Sequence, residues 1–133
     1  MITKNIKALI SYRLEQAQES LDAAKLLYEN KLFRASINRA YYAMFYSVLA
    51  LLASRQMETS KHSGAISFFD KEYVKTGIFT NRFSRWLHEA FDLRQRSDYA
   101  PSYSPSNREA KVTLQNAVTF VKEVRDKLRQ LSQ

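Results

Sequence analysis

Apolar residues recur along this chain at alternating steps of four and three. Between Thr3 and Asn30 they are Ile10, Leu14, Ala17, Leu21, Ala24 and Tyr28, and Glu15, Gln16, Gln18, Glu19, Asp22 and Lys25 fill the other positions. Side chains three and four apart share one face of a helix, so this spacing predicts an amphipathic helix with its apolar stripe on a core. The pattern returns near the other end as Ala110, Leu114, Ala117, Val121, Val124, Leu128 and Leu131, and predicts a helix over 106–131. The stretch 33–56 differs, because its second half is apolar almost all round. That predicts a helix covered on several sides, either the centre of a bundle or one whose outer face meets a second copy. Over 60–74 a stripe of Ile66, Phe69 and Tyr73 is continued backward by His62, with Ser60 as the expected N-cap. Over 81–99 the stripe is Phe83, Leu87 and Phe91, and Arg94 and Asp98 extend it in the same direction.

The breaks between these stretches are short. Asn30-Lys31 is expected to end the first helix, since Asn tolerates left-handed geometry. Lys75-Thr76-Gly77-Ile78 reads as a turn. The stretch 100–106 holds Pro101 and Pro105, which no helix accommodates. Gly64 falls inside a predicted helix, where it weakens the helix, so a close approach is expected there. With only two Gly and two Pro in 133 residues, sheet-rich folds lack their usual turn residues. The expected fold is all-α: an antiparallel up-and-down four-helix bundle with one additional shorter helix, residues 1–133 forming a single domain.

Composition narrows the chemistry. The formal net charge of +8 and pI near 9.8 favour polyanionic partners, nucleic acid among them, and suit an acidic protein equally well. Absence of Cys removes disulfides, thiolate nucleophiles and cysteine zinc sites. The two histidines, His62 and His88, cannot build a metal site unaided, and neither a metal nor a cofactor is expected. No Gly-rich phosphate loop, Gly-x-Ser-x-Gly elbow or His-Glu-x-x-His helix occurs. The opening residues carry no signal-type apolar run, and the longest apolar run, over 40–53, falls short of the ~18 residues of a membrane span. A cytoplasmic chain without a membrane partner is expected.

Three groups of residues are candidates for function. Arg94 and Asp98 lie one helical turn apart in Arg94-Gln95-Arg96-Ser97-Asp98-Tyr99. They form either an ion pair closing a helix end or a phosphate-binding Arg oriented by Asp98. Arg96 points away from that face and is expected in solvent. Arg39 and Tyr42 share another helix face, with Tyr46 one turn on. They form either a Tyr-rich core stripe with a wet Arg, or a second groove wall offering a phosphate contact and an aromatic platform for a base. His62 is a capping or packing residue, or a general base if it meets Arg94 in space. His88 lies off the Arg94 stripe and is expected to be incidental.

Together these segments resemble the HEPN domain family, above all its small stand-alone prokaryotic members. The resemblance rests on Asn38-Arg39-Ala40-Tyr41-Tyr42-Ala43-Met44-Phe45-Tyr46 with Ala50-Leu51-Leu52, on Ser60-Lys61-His62-Ser63-Gly64, and on Phe91-Asp92-Leu93-Arg94 with Ser97-Asp98-Tyr99 and Pro101. It covers nearly the whole chain. It implies a homodimeric helical bundle and partnership with a minimal nucleotidyltransferase in a two-gene toxin–antitoxin module. Active members of the family are metal-independent RNases whose motif is an Arg followed four to six residues later by His. Arg94 matches that Arg, but Tyr99 stands where the His belongs, and a phenol of pKa ~10 is a poor base at neutral pH. The resemblance makes Arg94, Asp98 and Tyr99 the catalytic candidates. Arg39, Tyr42, His62 and Arg94 are the nucleotide- or RNA-binding candidates, and Tyr99 is also a candidate acceptor of a transferred nucleotide. The expected function is therefore a HEPN-like member of such a system that binds nucleotide or RNA in a groove and is a weak or inactive RNase. The alternative is a non-catalytic basic helical adaptor for a nucleotidyltransferase or another acidic protein.

Overall fold

A computed structural model describes residues 3–131, and among them the regular structure is entirely helical. The helices are α1 (Lys4–Glu29), α2 (Phe33–Ser54), α3 (His62–Phe69), α4 (Asn81–Tyr99) and α5 (Asn107–Leu131), and α3 runs on into a π-helical turn over Asp70–Val74. The four long helices form an up-and-down bundle, and α3 is the additional short one. Of the apolar stripes Ile10 to Tyr28 and Ala110 to Leu131, every member but Leu131 lies among the described side chains. Ile10, Ala17, Leu21 and Ala24 are buried on α1, and Ala110, Ala117, Val121, Val124 and Leu128 on α5.

Helix α2 is the centre. It packs on α1, α3, α4 and α5, and Ile37, Ala40, Tyr41, Ala43, Met44, Val48, Ala50, Leu51 and Leu52 are all buried. One chain therefore covers most of the apolar surround of this helix, which favours the first of the two explanations the pattern allowed. Small residues let α1 and α2 approach closely, and the Ser36 hydroxyl, fully buried, donates to the Ala24 carbonyl at 2.8 Å. Across the core, Phe120 of α5 meets Phe69 at 5.1 Å and Phe83 at 5.7 Å between ring centres, joining α5 to α3 and α4.

The connections differ from expectation in detail. Lys31, not Asn30, takes the left-handed conformation (φ 61°), while the Asn30 side chain donates to the Leu26 carbonyl at 2.8 Å. A side-chain amide can close the helix end from an ordinary backbone, so the strained geometry passes to the next residue. Lys61, not the expected Ser60, is the N-cap of α3, and it makes no side-chain capping bond. Thr59 supplies the local bond instead, its hydroxyl accepting from the Lys61 N–H at 3.2 Å. Gly64 makes the close approach expected of it, since a Cβ there would stand 2.7 Å from that same Thr59 oxygen and force Thr59 to shift. Gly77 takes φ +84°, which makes the turn before α4. Before α5, Ser106 and Glu109 form a reciprocal capping box, with the Ser106 N–H donating to Glu109 Oε1 at 2.9 Å and the Glu109 N–H to Ser106 Oγ at 3.1 Å.

Candidate anion-binding site

Three elements converge where α2 is most polar. The first half of α2 brings Asn38, Arg39, Tyr41 and Tyr42. The last turns of α4 bring Arg94 and Asp98, and α3 brings its first residue, His62. Each arrives by the periodicity that builds its helix: Tyr41 and Phe45 are one turn apart on α2, and Phe91 precedes Arg94 by three on α4.

Arg94 is the hub. Its guanidinium carbon lies 5.5 Å from the Tyr41 ring centre and 5.2 Å from that of Tyr42, and its side chain is only 12% exposed. The Arg94 Nε lies 3.6 Å from Asp98 Oδ2, a charge contact and not a hydrogen bond, and this buried nitrogen has no hydrogen-bond partner among the described residues. Arg39 approaches the Tyr42 ring as well, at 4.8 Å, so two guanidiniums stand near one phenol ring. Asn38 links them. Its Oδ1 accepts from Arg39 Nε and Nη2 at 3.1 and 3.0 Å, and its Nδ2 donates to Asp98 Oδ2 at 3.2 Å. Two cations against one carboxylate leave a net positive charge. Both are partly desolvated by aromatic faces, and the donors of Arg94 are unspent. That arrangement suits an oxyanion held by charge and by directed N–H groups.

His62 lies beside this hub. Its ring stacks on Phe45 at 4.4 Å, and its Nδ1 is 2.7 Å from the Tyr41 hydroxyl. Burial lowers its pKa below the ordinary value, and the Arg94 charge lowers it further. Burial pushes the Tyr41 phenol the other way, well above its ordinary value, so it stays protonated. A His with a depressed folded-state pKa resists a proton that the unfolded chain accepts. Stability is then unaffected above about pH 6.5, the unfolded value, and falls as pH drops below it. Melting temperatures of wild type and His62→Gln between pH 7.5 and 5 are expected to converge on acidification, as the wild type loses this contribution. Parallel curves would contradict the assignment.

The structure thus brings Arg39, Tyr42, His62, Arg94 and Asp98 together, and leaves one candidate apart. Tyr99 is 72% exposed at the end of α4 and makes no hydrogen bond, ion pair or ring contact among the described residues. The step of five from Arg94 to Tyr99 turns the phenol away from a face that Asp98, at a step of four, still shares. Arg96 is exposed, as its position predicts, but its guanidinium lies over the Tyr103 ring at 5.1 Å. His88 bonds Asp70 at 2.7 Å and fastens α4 to the π-helical turn. A separate cleft between α1 and α5, lined in part by Lys7, Ile10, Leu14, Arg125 and Arg129, shares no residue with this cluster.

Residues 10–128 match the HEPN domain. The chain belongs to the HEPN family. This HEPN chain is 34% identical, over 131 residues, to a Methanocaldococcus jannaschii protein named "Putative toxin", a match covering 98% of the chain and 97% of that relative. A second protein of that organism bearing the same name is 32% identical over 112 residues, covering 84% of the chain and 76% of the relative. A UPF0332 protein of Thermotoga maritima is 41% identical over 91 residues, 68% of the chain and 69% of its own length. Among the described residues of the HEPN chain, no helix is long and apolar enough to cross a membrane.

Sequence reasoning passed over two residues that the cluster depends on. Tyr41 reads as core from its spacing, and it is fully buried, yet its hydroxyl is the partner of His62. Asn38 stands next to Arg39 with nothing local to show that it joins Arg39 to Asp98, because that bond spans 60 residues.

Proposed function

We propose that this HEPN chain is the toxin-type member of a two-component system with a minimal nucleotidyltransferase, and that it binds RNA or nucleotide through Arg39, Tyr42 and Arg94. The observation that carries the reading is Arg94, a largely buried guanidinium lying over two tyrosine rings with a hydrogen-bonding nitrogen unused. Nothing structural is gained by burying that donor unpaired, which costs ~1–3 kcal/mol. A phosphate oxygen would satisfy it, with Arg39 as second cation and Tyr42 as the stacking face. The net charge of +8 draws a polyanion to the surface, and the toxin names of the two relatives agree with the system assigned. Pairing with a second copy belongs to the reading. The half-buried Leu49, beside Leu9 and Met57, which are exposed, is apolar surface open to it.

The test is affinity for a short single-stranded RNA over a salt series. Binding that weakens steeply with salt, and weakens about 10-fold or more in Arg94→Ala, is expected. Salt-independent binding, or full affinity in Arg94→Ala, would overturn the reading. If RNA is not bound at all while a minimal nucleotidyltransferase encoded beside the chain is captured, the adaptor reading replaces it.

A further inference from the structure

The cleft between α1 and α5 is built from helices that contribute nothing to the Arg94 cluster, and its volume is about 700 Å³. Its long wall is one face of α1, where the lining residues from Lys7 to Gln18 follow one another at steps of three and one. At 1.5 Å per residue that wall runs about 16 Å, or three helical turns. The last turns of α5 form the opposite wall. Floor and rim differ in chemistry. Ile10 and Leu128 are buried and Leu14 is half-buried, so the floor is aliphatic. The rim is cationic, with Lys7 on α1 and Arg125 and Arg129 on α5. Little neutralises these cations. Arg125 Nη2 donates to the neutral Gln18 amide oxygen at 3.0 Å. The Arg129 Nη1 lies 3.9 Å from the Asp126 carboxylate, which Lys122 engages at 3.0 Å, and Lys7 makes no ion pair among the described residues. Among the described residues that line the cleft, Glu15 is the one acid.

We propose that this cleft is the docking groove for an acidic amphipathic helix of a partner protein. A helix laid along it sets apolar side chains three and four residues apart against Ile10, Leu14 and Leu128. Asp or Glu on its flanks then meet Lys7, Arg125 and Arg129. The length of the α1 wall suits about three turns of such a helix. Charge complementarity decides the occupant. A second copy of this chain would bring a further +8 to cations that already lack acidic partners. RNA is the poorer fit for two reasons. The floor has no aromatic face on which a base could stack, whereas the Arg94 cluster has Tyr42. Glu15 on the α1 wall also repels a phosphate backbone. An aliphatic floor gains nothing from a polyanion, but it is what an amphipathic helix buries its apolar stripe against. The inference stands apart from the RNA reading, since the cleft and the Arg94 cluster share no residue, and a helix docked here leaves Arg94 and Tyr42 uncovered.

The experiment pans a random library of peptides, each about three to four helical turns long, against the full chain, and then measures the affinity of the enriched peptide by fluorescence anisotropy. Enriched peptides are expected to carry Asp or Glu beside apolar residues three and four apart. Binding should weaken with salt and fall at least about 10-fold in the double variant Arg125→Glu, Arg129→Glu. The same peptide with Lys in place of its acids should bind that double variant more tightly than it binds wild type, a reversal that a failure to fold cannot produce. Leu14→Gln should also weaken binding, through the floor. Lys25→Glu with Lys111→Glu makes the same charge change at exposed positions outside the cleft, and should alter affinity less than about 2-fold. Failure to enrich acidic amphipathic peptides would overturn the inference, as would affinity unchanged in the Arg125→Glu, Arg129→Glu chain. So would a short RNA that displaces the peptide, which would make the cleft a nucleic-acid surface. Self-association of wild type that is lost in the same double variant would make the occupant a second copy, and would overturn it as well.

Discussion

Replacing Arg39 and Arg94 together by alanine is expected to weaken RNA binding at least about 100-fold at low salt. A charge-assisted hydrogen bond contributes ~1.5–3 kcal/mol. Two of them therefore amount to ~3–6 kcal/mol, or two to four powers of ten in affinity. The salt dependence should change too. Each phosphate contact to a single strand contributes a slope of ~0.7 in log affinity against log salt, so losing two should flatten it by about 1.4. Both guanidiniums lean on Tyr42, at 4.8 and 5.2 Å, and the alanines leave that ring in place. Residual, less salt-sensitive stacking on it is therefore expected. The fold should survive, since among the described residues Arg39 is bonded only to its neighbour Asn38 and to the Tyr42 face, and the Arg94–Asp98 contact is loose at 3.6 Å. Fluorescence anisotropy over a salt series, beside a thermal melt of each variant, makes the measurement. An unchanged slope in the double variant would mean that other cations carry the binding.

The second large effect concerns the fold. Phe120→Ala should cost about 3–5 kcal/mol, the range seen when a fully buried aromatic is truncated. Phe120 is 0% exposed and touches the rings of Phe69 and Phe83, so the cavity would open where α3, α4 and α5 meet. For a domain of this size that corresponds to a fall of roughly 10–20 °C in melting temperature. Phe120→Leu keeps most of the volume and should cost clearly less. Neighbouring Val118 lies partly in solvent, and Val118→Ala should change little. Equal losses in Phe120→Ala and Val118→Ala would show that α5 is not anchored through this aromatic contact.

The helices were legible because their signal is local. The steps from Ile10 to Tyr28 and from Ala110 to Leu128 state which face is buried before any partner is known, and the bundle follows from amphipathic stripes and short connections. What escaped depends on residues far apart. Nothing near Tyr41 or His62 announces a 2.7 Å contact across 21 residues, or reveals that Arg94 lies over both tyrosines. Spacing alone left Arg94 and Asp98 open between an ion pair and an anion site. The actual 3.6 Å separation, with Nε unpaired, is a three-dimensional fact. Tyr99 was drawn into the candidate site by its place in a linear motif, whereas one further step along the helix turns it into solvent. Cap positions were missed for a smaller reason. Thr59 and Ser60 carry similar hydroxyls side by side, and it is the Thr59 hydroxyl that accepts from the Lys61 N–H and stands against Gly64.

The central claim is that Arg94 and its neighbours meet the phosphate backbone. The most direct measurement is an NMR titration of the labelled chain with a short RNA, following arginine Nε–H and histidine ring resonances. The account predicts that the Arg94 Nε–H, unpaired in the free chain, shifts most on binding, with Arg39 and His62 next. Shifts confined to Arg125 and Arg129 in the cleft between α1 and α5, with the Arg94 signal unmoved, would contradict it.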